Sequence, residues 1–261
     1  MEQHIYQNIF DSHAHYNDDA FEADQDEVLQ YIHTNGVCAV VNVGCNLKWS
    51  QEAVRLAERY PFCYAAVGIH PSDANLVADG YLEKLRRMAA QDKVVAIGEI
   101  GLDYHYDDDC PHDIQQRVFE EQLQLAKELD LPVIIHSREA TEDTMVLLRR
   151  YQPKGVVHCF SGSAETAKEV VRLGMYVGFT GVLTFSNAKR AKKAVEAVPA
   201  DRLLLETDCP YMAPVPFRGK RCTSDLIAYT AEAMAEIKGL EPQQMIDAAN
   251  ANTCRLFGIA L

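Results

Sequence analysis

Eight times along this chain a short apolar run rich in β-branched residues gives way to a longer amphipathic stretch. The runs fall at 9–15, 37–44, 62–70, 94–101, 132–136, 156–160, 175–180 and 202–208. Several of them, such as "CAVVNV" and "RLLLE", are almost continuously hydrophobic. Strands covered on both faces read that way, and strands that alternate with helices belong to parallel sheets. The stretch 113–129 shows the helical half of the pattern, with Ile114, Val118, Leu125 and Leu129 spaced close to the helical period. Gly36 and Gly174 stand where helices should stop, and Pro242 where the last one should begin. Eight strand–helix units in 261 residues predict an α/β protein, a single (β/α)8 TIM barrel occupying residues 1–261. A doubly wound sheet explains the alternation equally well. It does not explain why every candidate polar group sits at the C-terminal end of a run, and on a barrel those ends form one mouth.

The groups at that mouth are unusual for their neighbourhood. The first run ends in "DSHAH", with His13 and His15 one residue apart and so on the same side of a strand. The third ends in His70, the fourth in Glu99 with Asp103 beyond it, the fifth in His136, the sixth in His158, and the eighth in Glu206 and Asp208. A single histidine in "VIIHSR" or "VVHCF" reads as a hydrogen-bonded core residue. A carboxylate inside "VVAIGEIGL" is harder to place, because burying it without a partner is costly. A metal compensates all of them together. His13, His15, Glu99, His136, His158 and Asp208 are therefore the candidate metal ligands.

Six protein ligands exceed the three that one catalytic zinc usually takes, so the expectation is two divalent ions. Glu99 is placed to bridge them, with His13, His15 and Asp208 on one ion and His136 and His158 on the other. Nitrogen and oxygen ligands suit zinc, manganese, iron(II) or magnesium, and the residues do not choose among these. A pair of ions of this kind activates water as a nucleophile and steadies a phosphoryl or carbonyl oxygen. Metal-assisted hydrolysis is the expected chemistry, with Glu99 and Asp208 as catalytic residues and Asp208 also placed to take a proton from the attacking water. No Gly-x-Ser-x-Gly elbow or P-loop is present.

Charge and cysteine usage narrow the setting. A net charge of −13 argues against a broad basic nucleic-acid footprint, though a compact site can still grip a few phosphates. Two basic clusters stand out, "AKRAKK" at 188–193 and "FRGKR" at 217–221. The first reads as a solvated helix face. Eight cysteines without a Cys-x-x-Cys pair read as reduced thiols. The opening "MEQHIYQNIF" lacks the basic and apolar regions of a secretory leader, and no run approaches a membrane span. These features predict a cytoplasmic protein with no membrane partner. No heptad or apolar repeat announces a second subunit, so a monomer is expected.

The segments "FDSHAH", "GIHP", "IGEIGLDY", "IHSR", "HCFSG" and "ETDCPYMAP" occur in the order found in the TatD family of metal-dependent deoxyribonucleases, within the amidohydrolase superfamily, which the chain resembles over essentially its whole length. Its final "NTCRLFGI" is similar to that family's C-terminus. The resemblance implies a (β/α)8 barrel, a two-metal site on the same six residues, and hydrolysis of DNA phosphodiesters, often as a 3′-to-5′ exonuclease. Its implied partner is DNA, as single strands or 3′ ends. An ester, lactone or amide hydrolase on the same site is the alternative. Glu99 supplies a bridge without the modified lysine that many such barrels use. One departure touches the substrate: where family members often continue "RGKR" with Asn-Glu-Pro, this chain has "RGKRCTSD".

Four residues are the candidates for substrate contacts: His70, Arg138, Arg218 and Lys220, with Arg221 beside them. The guanidinium fork suits a phosphate. His70 could hydrogen-bond a phosphate or protonate a leaving group. Asp103 and Glu206 are placed to orient metal-bound histidines.

Overall fold

The computed structural model describes residues 6–105 and 110–261. Part of the N-terminal stretch read above as no leader therefore lies outside the described residues.

Eight parallel strands form one sheet in sequence order: β1 (Ile9–Ala14), β2 (Val37–Val43), β3 (Cys63–Val67), β4 (Val94–Asp103), β5 (Val133–Arg138), β6 (Gly155–Val157), β7 (Tyr176–Phe179) and β8 (Leu203–Leu205). Each expected run overlaps one of them, β4 and β5 extending two residues beyond theirs. The helices between them are α1 (Gln25–Thr34), α2 (Leu47–Arg59), α3 (Tyr81–Ala89), α4 (His112–Leu129), α5 (Thr141–Tyr151), α6 (Ala164–Arg172) and α7 (Lys189–Ala197), followed by α8 (Ile227–Lys238) and α9 (Pro242–Phe257). Pro242 opens α9, and Gly36 and Gly174 take the positive φ of helix stops, +97° and +87°.

The sheet closes just beyond β8. Asp208 N–H donates to the His13 carbonyl at 2.9 Å, and His15 N–H to the Cys209 carbonyl at 2.8 Å. The result is a (β/α)8 barrel. One hydrophobic cluster takes side chains from all eight strands, including Phe10, Val41, Ala66, Ala96, Ile134, Val156, Tyr176 and Leu204, and so marks the barrel interior. Phe257 and Ile259, from the end of α9, belong to it and plug one end. A larger cluster lies between strands and helices. Gly178 and Glu206 follow Tyr176 and Leu204 at strand period, and a Cβ on Gly178 would sit 2.3 Å from Glu206 Oε2. A buried carboxylate thus occupies the barrel axis just below the mouth, and only glycine leaves it room.

Two details differ from the sequence reading. His15 lies past the end of β1, whose register against β2 shifts between Asp11 and Ala14. Its position comes from the closure bond to Cys209 rather than from strand alternation. β8 is only three residues long, so Glu206 and Asp208 stand on the segment leaving it. All eight cysteines are free, as the reduced-thiol reading expected. Among the described residues no helix is long and apolar enough to cross a membrane.

Candidate metal centre

The six residues singled out as ligands meet at the C-terminal mouth, around Glu99. Strand β4 carries this carboxylate, and Glu99 N–H is held by the Gly44 carbonyl at 2.9 Å. Oε2 faces His13 Nε2 at 3.5 Å and His15 Nε2 at 3.8 Å. Asp208 Oδ1 approaches the same two nitrogens, at 3.5 and 3.3 Å, and the nitrogens are 3.0 Å apart. Oε1 faces the other way, 2.6 Å from His158 Nε2 and 2.8 Å from His136 Nδ1, which lie 3.3 Å from each other. Two nitrogen or oxygen ligands at about 2.1 Å from a tetrahedral ion are separated by roughly 3.4 Å. The spacing of the first group fits such donors, whereas in the second Glu99 Oε1 sits at hydrogen-bond distance from His158 and His136.

Their orientation fits as well. His15 Nδ1–H donates to the Val43 carbonyl at 2.9 Å, so its Nε2 presents a lone pair to the site. Asp103 Oδ2 pairs with His136 Nε2 at 3.1 Å and turns Nδ1 toward Glu99. Asp103 is thus in reach of His136, as an orienting role requires. Glu206 stands 3.7 Å from His158 Nδ1, beyond hydrogen-bond length, and its own Oε1 accepts the Cys159 backbone N–H. The rings of His13 and His158 stack at 4.0 Å, and the Nδ1 atoms of both are buried without a hydrogen-bond partner. The Nε2 atoms of His13 and His15, 3.0 Å apart and both facing Glu99 and Asp208, call for positive charge between them. Among the described residues no lysine or arginine makes an ion pair with Glu99 or Asp208.

The electrostatics express the same demand. Burial alone would raise Glu99, yet His158, His70 and His13 hold it well below the ordinary carboxylate value. Asp208, also against burial, is lowered by His15 and His13. Burial opposes charge on His136, but Asp103 and Glu99 raise it to about 9. His158 is raised by Glu99 against the same opposition. His13 is lowered to about 4, by burial first and then by His158, and His70 to about 3, by burial and His136. Glu206, buried on the axis, is pushed up to about 7.

A cavity of about 730 Å³ opens over this centre, within the usual range for small-molecule sites. His70 lines it, with Nδ1 held by Ser72 Oγ at 2.7 Å and Nε2 3.8 Å from Glu99. Arg138 lines it from the end of β5. Arg218 and Lys220 stand outside the lining, exposed on the loop after β8; the Arg218 guanidinium lies 4.6 Å from the Phe185 ring centre. Arg221 faces away and is committed to Asp24 at 2.6 Å. Sequence reading missed Cys45, Trp49, Arg190 and Tyr211, all in the wall. Tyr211 follows "ETDCP" and could have been found from the eighth run. Trp49 sits on α2 and carried no such signal. Arg190 lay in the cluster read as a solvated face.

Known proteins resemble this chain along nearly all its length. A family model described as TatD related DNase matches residues 10–258. The uncharacterized metal-dependent hydrolase YabD of Bacillus subtilis is 43% identical over 254 residues, spanning 96% of this chain and 99% of its own. A 3′-5′ ssDNA/RNA exonuclease TatD from Citrobacter rodentium is 34% identical over 261 residues, spanning 97% of this chain and 99% of its own. Among solved structures, the TatD homolog YJJV of Escherichia coli K12 superimposes with a TM-score of 0.91 at 34% identity, covering 97% of this chain and 99% of that one.

Proposed function

The chain belongs to the TatD related DNase family, and on that premise we propose that it hydrolyses phosphodiester bonds of DNA, removing nucleotides from the 3′ end. The observation that carries the reading is Glu99, whose two oxygens each face a separate set of histidines. We assign His13, His15, Glu99 and Asp208 to one divalent ion and Glu99, His136 and His158 to a second. Bound there, the ions would supply Lewis acidity toward a phosphoryl oxygen and acidify a water.

The chain's own groups do the rest. Asp208 is the more exposed of the two central carboxylates, with 14% of its side chain open against 4% for Glu99. It faces the cavity and accepts the proton of the attacking water. His70 is neutral at physiological pH, with Ser72 fixing the ring, and its Nε2 is free to hydrogen-bond a phosphoryl oxygen. Arg138, at the end of β5 in the cavity wall, meets the phosphate as well. We also assign residues 1–261 to one unit that works as a monomer in the cytoplasm, where its eight free thiols stay reduced.

The test is mononucleotide release from 3′-tailed single-stranded DNA, by chelated protein to which zinc, manganese or magnesium is restored. Stepwise release that disappears in Glu99→Ala supports the reading. Metal-loaded protein that releases nothing sinks it, and turnover of ester or lactone substrates instead would move the assignment to carbonyl chemistry.

A further inference from the structure

The two basic clusters that lie about 25 residues apart in sequence come together on one flank of the mouth. Helix α7 buries Ala191, Ala194 and Val195 against the barrel and leaves Lys189, Arg190, Lys192 and Lys193 exposed. Its N-terminal end stands at the rim, where Asn187 and Arg190 line the cavity. The loop after β8 is stitched to the segment that feeds α7. Val215 N–H donates to Thr184 Oγ1 at 2.8 Å, and a Cβ on Gly181 would sit 2.3 Å from the Met212 carbonyl oxygen. Arg218 then stacks on Phe185, four residues before Lys189, with Lys220 next to it.

Six cations therefore share one flank of a protein whose net charge is −13. The surface ion pairs of the described residues are made by others, such as Arg149, Arg150, Lys154 and Arg221, and none of these six has an acidic partner within 4.0 Å. Solvated lysines on a helix are ordinary. Cations without an acidic partner within 4.0 Å, gathered from one helix face and one loop against the overall charge and beside the reactive cavity, are a local positive field that attracts a polyanion. The cavity of about 730 Å³ holds only the end of a strand, so the adjoining phosphates must cross the rim.

We propose that the α7 face and the loop carrying Arg218 and Lys220 form a track for the phosphates of single-stranded DNA next to the reacting end. The proposal rests on the nuclease reading for its substrate, and the experiment separates the two. A fluorescein-labelled strand of about 20 nucleotides is titrated with chelated protein, which cannot cut it, across a range of salt. Loss of three phosphate contacts in Lys189→Ser/Lys192→Ser/Lys193→Ser should weaken binding about ten-fold at low salt and flatten the slope of log K against log salt by about 2. Arg218→Ala/Lys220→Ala should weaken it in the same sense. With metal restored, the ratio of kcat/KM for the long strand to that for a dinucleotide should fall at least ten-fold in the triple variant. Unchanged binding and an unchanged ratio overturn the track even if hydrolysis is robust. Salt-sensitive binding lost in the variants, without hydrolysis by the parent, keeps the track and sinks the nuclease reading. Displacement of the strand by polyglutamate at equal charge concentration overturns it in favour of a general polyanion patch.

Discussion

On one side of Glu99 four donors converge largely out of solvent: His13 is 0% exposed and His15 5%, while His15 and Asp208, the latter 14% exposed, border the cavity. On the other side three donors converge, and His136, 17% exposed, forms part of the cavity wall with His70 beside it. The first half is built from the seam where β1 meets the exit of β8, and backbone bonds across that seam fix its geometry. The second half is built on β4, β5 and β6, and side-chain contacts such as Asp103 to His136 fix it. A set fixed by backbone bonds across the seam suits a tightly held ion. A set fixed by side chains, with His70 beside it on the cavity wall, suits the place where substrate enters.

Glu99 belongs to both halves, so its removal should have the largest effect. Glu99→Ala is expected to lower kcat/KM by about 10³-fold or more, a loss of several kcal/mol of transition-state stabilisation, and elemental analysis should show both metal equivalents reduced. Retention of one full equivalent would mean that the halves do not share this carboxylate. Asp208→Asn touches the first half alone. It should cost about 10² to 10⁴ in kcat, with KM little changed, if the residue takes a proton in the rate-limiting step. A change confined to KM would assign it to binding instead.

Asp103→Asn loosens only the second half. A drop of about 10- to 100-fold in activity, with one equivalent of metal more easily chelated than the other, is the expected result. Equal weakening of both equivalents would remove the distinction drawn here.

The smallest effect is on stability against pH in chelated protein. His13 has its folded value lowered to about 4, so the stability it contributes is present above about 6.5 and is lost as pH falls toward 4. His136 is raised to about 9, so its contribution is present below about 6.5 and is lost as pH rises through 9. Asp11 and Glu206, raised by burial to about 6 and about 7, also lose their contribution as pH rises, the same sign as His136 and the opposite of His13, in the middle of this range. Melting curves are therefore compared between variants. His13→Gln should flatten the acid limb and His136→Gln the alkaline limb. Variants that leave both limbs as they were would disprove this division.

Much of this is legible in the sequence. The eight strands and the residues at their ends could be read because each depends on local pattern: apolar runs of strand length, helix stops, and polar groups where a run ends. The long β4 and the helix from His112 to Leu129 differ from the expected bounds by only a few residues. What could not be read depends on how distant segments meet. His15 looked like an alternating strand residue and is held instead by Cys209, far along the chain. Arg221 looked like a neighbour of Arg218 in function, yet Asp24 claims it. Arg190 looked like solvated helix, yet α7 starts at the rim and brings it into the wall.

The sequence by itself determined the order of elements, the polar residues that end each strand and the kind of chemistry they suit. Periodicity and composition are properties of the chain, and a parallel barrel carries every strand end to one mouth whatever the loops do. Only the tertiary structure decided that Glu99 turns one oxygen to each set of histidines, that backbone bonds fix one half and side-chain contacts the other, and that two separate basic segments share a flank. Those outcomes depend on register, closure and loop packing between residues up to about 200 positions apart, such as His13 and Asp208, and no local pattern encodes them.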